Sequence, residues 1–257
     1  MDKLTSIYGH NGIYIKEDYK FAKGGVCGTR GRMVYSLLNR VDDAGYTEVT
    51  YACGRNDVDL ALVAQGCADF GFKCDIFTPN GDETPMMAAM AVLNKNLHYH
   101  QVANGYNNVI NARAREYADM DSNRIMLPMG FAARCAVETV MHQCFLVPQD
   151  IKRIVVYDES GVIVAGICHG LSFYNRPDVE VMGVTAKREP YNTVARLLGN
   201  GLFDRPQVTF TYKRIKQTTS TEDVVYEDIP MLAQSDAHCI KFLESGDMLW
   251  CCGDKLG

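Results

Sequence analysis

Residues 151–185 run Ile151-Lys-Arg-Ile-Val-Val-Tyr157, then Asp158-Glu-Ser-Gly161, then Val162-Ile-Val-Ala-Gly-Ile-Cys-His-Gly-Leu171 and, past a polar break, Val179-Glu-Val-Met-Gly-Val-Thr185. The first and last segments are short, apolar and rich in β-branched residues, the pattern of strands buried on both faces. Between them a serine-glycine turn opens into an apolar run long enough for a helix. Strand, turn, helix and strand in that order form a βαβ unit, whose strands pair in parallel through a right-handed crossover.

The same rhythm extends toward the N-terminus. Thr47–Ala52 and Lys73–Thr78 read as strands around a helix from Asp59 to Phe70, which Gly71 closes. Pro85 stands where a first-turn proline belongs and opens a helix rich in Met and Ala. Leu97–Val102 reads as a strand, Asn108–Met120 as a helix, Arg124–Met129 as a short apolar segment and Ala132–Cys144 as another helix. After Asn200 the pattern loosens into a half-exposed strand (207–214), a helix (236–244) and a last apolar strand, Met248–Cys252. No Pro/Gly-rich linker divides the chain. The expected fold is α/β, with two interleaved open parallel-sheet lobes: residues 1–45 and 146–257 form the large lobe, and residues 46–145 a small lobe inserted in it.

Composition narrows the function classes. The 257 residues are 47% hydrophobic and 22% charged, with a formal net charge of −5. Such a chain folds as a globular protein, and its mild acidity argues against general nucleic-acid binding. The N-terminal stretch MDKLTSIYGHNG lacks the apolar run of a signal peptide, and no segment approaches a membrane span. A cytoplasmic protein is expected, with no membrane partner. The ten cysteines form no C-x-x-C pair and no zinc-finger spacing, so buried, reduced thiols are expected.

Three segments in order resemble one family, the fold-type-II (tryptophan synthase β-like) pyridoxal-phosphate enzymes. Ile15-Lys-Glu-Asp18, Gly24-Gly25 and Thr29-Arg30 are similar to the K-x-E-D and G-G-N-K-T-R segments of 1-aminocyclopropane-1-carboxylate deaminases and D-cysteine desulfhydrases, and more loosely to threonine dehydratase. Tyr51–Cys74 resembles that family's first small-lobe unit. Residues 154–185 resemble its strand, phosphate-binding turn, helix and following strand, and 244–253 its closing strand. Residues 200–235 carry no such likeness.

The resemblance implies a lysine amine immediately before the Thr-Arg pair, which would hold the cofactor as an internal aldimine. This chain has Gly28 there, and the nearest alternative amine is Lys23. The cofactor's phosphate would lie in the turn that here reads Ser160-Gly161-Val-Ile-Val164, where branched apolar residues replace a glycine and a hydroxyl. The substrate-facing loop becomes Gly54-Arg-Asn-Asp-Val-Asp59. Asp57 then replaces a serine, or Asn56 faces the ring after a one-residue shift; Asp57 and Asp59 equally suit a helix N-cap.

The expectation is therefore a repurposed scaffold that holds a small anionic or amino-acid-like ligand between its lobes without a Schiff base. The lining would include Lys23, Thr29, Arg30, Asn56, Asp57, Asp158, Glu159, Ser160 and Gly161, with no metal. A homodimer or a partner protein is compatible with it. One alternative is an active lyase or deaminase using pyridoxal phosphate on Lys23, with Asp57 as a further catalytic candidate. Another is a phosphoribosyl- or nucleotide-handling enzyme, because Asp158-Glu159 at a strand's carboxyl end resembles the acidic pair of phosphoribosyltransferases. His98 and His100 share a strand face without a third metal ligand. His169 reads as a core or helix-end histidine, and Met86, Met87 and Met90 as packing.

Overall fold

A computed structural model describes residues 3–103, 105–199, 208–216, 224–226, 229–231 and 235–253. In chain order the strands are β1 (Ile7–His10), β2 (Ile13–Lys16), β3 (Ala22–Lys23), β4 (Val26–Cys27), β5 (Glu48–Ala52), β6 (Lys73–Pro79), β7 (Leu97–Val102) and β8 (Arg124–Met126). They continue with β9 (Arg153–Tyr157), β10 (Glu180–Thr185), β11 (Phe210–Arg214), β12 (Val224–Tyr226), β13 (Ile229–Met231) and β14 (Asp247–Trp250). The α-helices are α1 (Gly28–Asp43), α2 (Val58–Phe70), α3 (Pro85–Leu93), α4 (Asn107–Ala118), α5 (Arg134–Gln143), α6 (Val162–Phe173) and α7 (Tyr191–Gly199).

Two compact units emerge. The first takes residues 3–21, 27–29 and 132–253 of the described chain, and the second residues 22–26 and 30–131. In the first, a six-stranded sheet has the order β1-β2-β14-β9-β10-β11. Only the β1–β2 hairpin is antiparallel; the other neighbours pair in parallel. In the second, four parallel strands have the order β7-β6-β5-β8.

Burial explains the strand sequences. Ile154, Val155 and Val156 of β9 and all four residues of β14 are buried, as strands covered on both faces require. Helix α6 is buried from Val162 to Leu171 because α5 packs closely along it. Gly166 and Gly170 make that approach feasible: a Cβ on either would stand 2.5 Å from Val140 or Cys144. In the second unit Asp57 caps α2, Gly71 ends it at φ 74°, and Thr84 with Pro85 opens α3. Met87 and Met90 are core residues and Met86 is half-buried.

The helix expected over 236–244 is a 3₁₀ helix, Asp236–Phe242. The β1–β2 hairpin and α7 add elements that the alternation does not announce. All ten cysteines carry thiols, and all but Cys27 and Cys135 are buried. Among the described residues no helix is long and apolar enough to cross a membrane.

Candidate functional site

In the first unit the chain steps outward from β9 to β10 and β11, while β14 and β2 lie on the other side of β9. Strand order therefore reverses between β9 and β14. Open α/β sheets bind ligands outside the carboxyl ends of their strands at such a reversal. Here β9 delivers Tyr157, Asp158 and Glu159, β14 delivers Cys251, Cys252 and Gly253, and Thr185 and Lys187 follow from β10.

The start of α1 is anchored against the end of β14. Gly28 N donates to Phe21 O at 3.0 Å and Thr29 N to Cys252 O at 2.9 Å. Gly28 has φ +72°, and a Cβ there would lie 2.1 Å from Gly253 O and 2.2 Å from Cys252 O. No L-residue side chain fits without moving backbone. Thr29 is fully buried; its hydroxyl donates to Asp18 Oδ2 at 2.7 Å and accepts from Trp250 Nε1 at 3.2 Å. Asp18 also accepts from Thr5 Oγ1 at 2.8 Å, and the buried Lys16 ammonium donates to Thr5 O and to Gln143 Oε1. The Lys16-Glu-Asp18 segment and Thr29 thus form an internal strut.

At the N-terminus of α6, Asp158 turns its carboxylate onto its own chain. Oδ1 accepts from Ser160 N (3.0 Å), Ser160 Oγ (3.2 Å) and Gly161 N (2.9 Å). Oδ2 accepts from Val164 N (3.0 Å) and from the Tyr212 hydroxyl (3.2 Å) of β11. The residue is 1% exposed. Burial pushes its carboxyl above the usual carboxylate range, against the pull of these donors, and pushes the Tyr212 hydroxyl far upward. Gly161 at φ +84° supplies the turn.

Beside this cluster, Glu159 accepts from Tyr157 OH at 2.6 Å and pairs with Lys187 Nζ at 2.6 Å. The Tyr157 ring stacks on His238, with centroids 6.4 Å apart. Burial, assisted by Lys241, lowers the His238 pKa and favours neutral imidazole. Among the described residues His238 Nε2 and Ser235 Oγ are buried atoms without a hydrogen-bond partner, while Asp236 Oδ2 accepts from Gly253 N at 2.9 Å. These neighbours lay outside the residues singled out from sequence. Lys187, just past a strand's carboxyl end, carried the one positional signal that could have found them.

The remaining candidates belong to the second unit. Asp57 accepts from Asp59 N at 3.2 Å, the N-cap bond of α2. Arg30 Nη1 lies 3.2 Å from Asp59 Oδ1, and Asp59 Oδ2 accepts from Tyr51 OH at 2.9 Å. Asn56 is exposed in the turn before α2. Lys23 is exposed, its ammonium 4.6 Å from the Tyr35 ring centroid. His98 is exposed, and His100 Nε2 is bonded to the buried Asp75 at 2.7 Å. Among the described residues no group of three His, Cys, Asp or Glu side chains is placed to hold a metal ion.

No family model and no curated protein matches the sequence. Solved structures do match. An ACC deaminase homologue superposes with a TM-score of 0.73 at 16% identity, over 95% of this chain and 85% of that one. Threonine deaminase isoform 2 from Solanum lycopersicum gives 0.66 at 11% identity, covering 95% of this chain and 79% of that one. A fungal L-serine ammonia-lyase from Rhizomucor miehei gives 0.58 at 11% identity, covering 98% and 76%. The chain has the fold of the type-II pyridoxal-phosphate enzymes. The likeness is one of architecture, a mixed α/β fold with parallel sheets.

Proposed function

We propose that this protein uses the type-II scaffold to bind a small amino-acid-like or anionic ligand without forming an internal aldimine. The observation that carries the reading is Gly28, at the position before Thr29-Arg30 where the family pattern has its lysine. It has no amine, and its left-handed backbone against Cys252 O and Gly253 O leaves no room for a side chain. The residues present do not fit a covalently held pyridoxal phosphate. Lys23, the alternative amine, lies in the exposed two-residue strand β3 with its charge over Tyr35.

The charge pair Glu159–Lys187 supports an amino-acid-like ligand. An ammonium can pair with Glu159 and a carboxylate with Lys187, so a zwitterion exchanges one ion pair for two. Ser235 Oγ and neutral His238 Nε2, without partners among the described residues, offer further hydrogen bonds to such a ligand.

Two measurements test this. Incubation with pyridoxal phosphate followed by borohydride should leave no pyridoxyl adduct by intact mass and no aldimine band in the visible spectrum. An adduct lost in Lys23→Ala would replace this reading with that of an active lyase or deaminase. Calorimetry against a panel of free amino acids should find a saturable ligand, weakened about tenfold or more in Glu159→Gln.

A further inference from the structure

The N-terminus of a helix is an anion site because first-turn N–H groups point outward and the helix dipole favours negative charge. In α6, twelve residues long, two of those groups, Val162 N and Val164 N, and the two turn amides before them are already committed. The amides of Ser160, Gly161 and Val164 all donate to Asp158, and Val162 N donates to Ser160 Oγ at 3.3 Å. The Tyr212 hydroxyl, on another strand, closes the carboxylate from the far side. The outer face of the turn is also filled: a Cβ on Gly161 would meet Val194 Cγ2 at 3.0 Å and Pro190 O at 3.2 Å.

We infer that Asp158 is a resident anion that replaces a phosphate at the N-terminus of α6, so that this turn binds no phosphorylated ligand. The carboxylate takes over what a phosphate would do there: it accepts from the two turn amides and from Val164 N and neutralises the dipole. A phosphate placed against it would meet like charge at about 4 Å, a repulsion weakening binding by roughly a thousandfold at an effective dielectric near 20. The ligand class at this edge of the sheet is thereby narrowed to non-phosphorylated molecules. Asp158 itself is withdrawn from ligand contact, and with it one of the two acids that a phosphoribosyl-handling reading requires. The inference refines the proposed amino-acid-like ligand but rests on residues independent of Gly28.

Chemical rescue tests it. Asp158→Ala removes the carboxylate and leaves a space that formate fills. At matched ionic strength, formate should raise the melting temperature of Asp158→Ala by about 4 °C relative to chloride, roughly a tenfold shift in the folding equilibrium. Wild type should not respond. Equal responses in the two proteins would overturn the inference, as would no response in a folded variant.

Should Asp158→Ala yield no folded protein, titration of the wild type decides. Inorganic phosphate followed by ³¹P NMR should give no saturable binding below about 1 mM, and saturable binding lost in Ser160→Ala would overturn the inference. Pyridoxal without phosphate separates the two claims: trapping it on a lysine defeats the proposed function and leaves Asp158's role standing. Phosphate binding without any trapped aldehyde does the reverse.

Discussion

Gly28→Ala is the perturbation whose cost the structure allows to be worked out most directly. Two contributions add. An alanine held at φ +72° sits in the left-handed region, which costs an L-residue roughly 1–2 kcal/mol. Its methyl would also lie 2.1 Å and 2.2 Å from the carbonyl oxygens of Gly253 and Cys252. Both are backbone atoms, so relief requires moving α1 or the end of β14; overpacking of this kind costs about 1–3 kcal/mol. That movement strains the Thr29 N to Cys252 O bond, at 2.9 Å, as well. The sum is about 2–5 kcal/mol, a large share of the roughly 5–15 kcal/mol that stabilises a typical domain. Gly45→Ala is the matched control, because Gly45 has φ +80° and nothing within 4 Å of its Cβ position, so only the backbone cost applies. Urea denaturation with unchanged m-values should place the midpoint of Gly28→Ala well below that of Gly45→Ala. Equal stabilities, within about 0.5 kcal/mol, would refute the claim that this position is sterically closed.

Other outcomes follow from the same geometry. Thr29→Val keeps the shape but leaves Asp18 Oδ2 and Trp250 Nε1 each short of a partner, so a loss of about 1–3 kcal/mol is expected in the same assay. Asp57→Ala removes the α2 N-cap and should cost about 1 kcal/mol while leaving ligand affinity unchanged; an affinity loss in calorimetry would give Asp57 a second role. Burial lowers the pKa of both His169 and His238. The unfolded chain then binds protons from about pH 6.5 downward before the folded chain does, so these groups lower stability as pH falls through that window. Melting curves of wild type and of His169→Gln with His238→Gln should diverge below about pH 6.5, and parallel curves would argue against the buried neutral histidines.

The β9–α6–β10 unit was legible because its strands are continuous apolar runs; the structure starts them only slightly later, at Arg153 and Glu180. The second unit was equally readable, since Gly71 and Pro85 punctuate it in the conventional places. The β1–β2 hairpin was not, because its four-residue strands, IYGH and IYIK, are too short for a period to declare itself. Helix α7 follows Pro190, a usable start signal. The site was harder to read. That Asp158 stands at a strand's carboxyl end is visible in sequence; that it turns inward depends on Gly161 at φ +84° and on Tyr212, 54 residues away. Ser235 and His238 reach the same edge through a 3₁₀ turn that no local pattern connects to β9. Tertiary contact, not local propensity, decides which polar groups remain for a ligand.

The inaccessible sulfurs have a practical consequence for following this molecule. Burial pushes the thiols of Cys53, Cys168 and Cys239 upward and that of Cys144 to about 12, and a hydrogen bond with Cys67 together with burial raises Cys74, so alkylating reagents find little thiolate inside the native chain. Cys27 and Cys135 lie nearest the solvent. Blocking them leaves a polypeptide whose later labelling counts opening events region by region, with Cys168 reporting on α6 and Cys67 on α2 without any inserted probe.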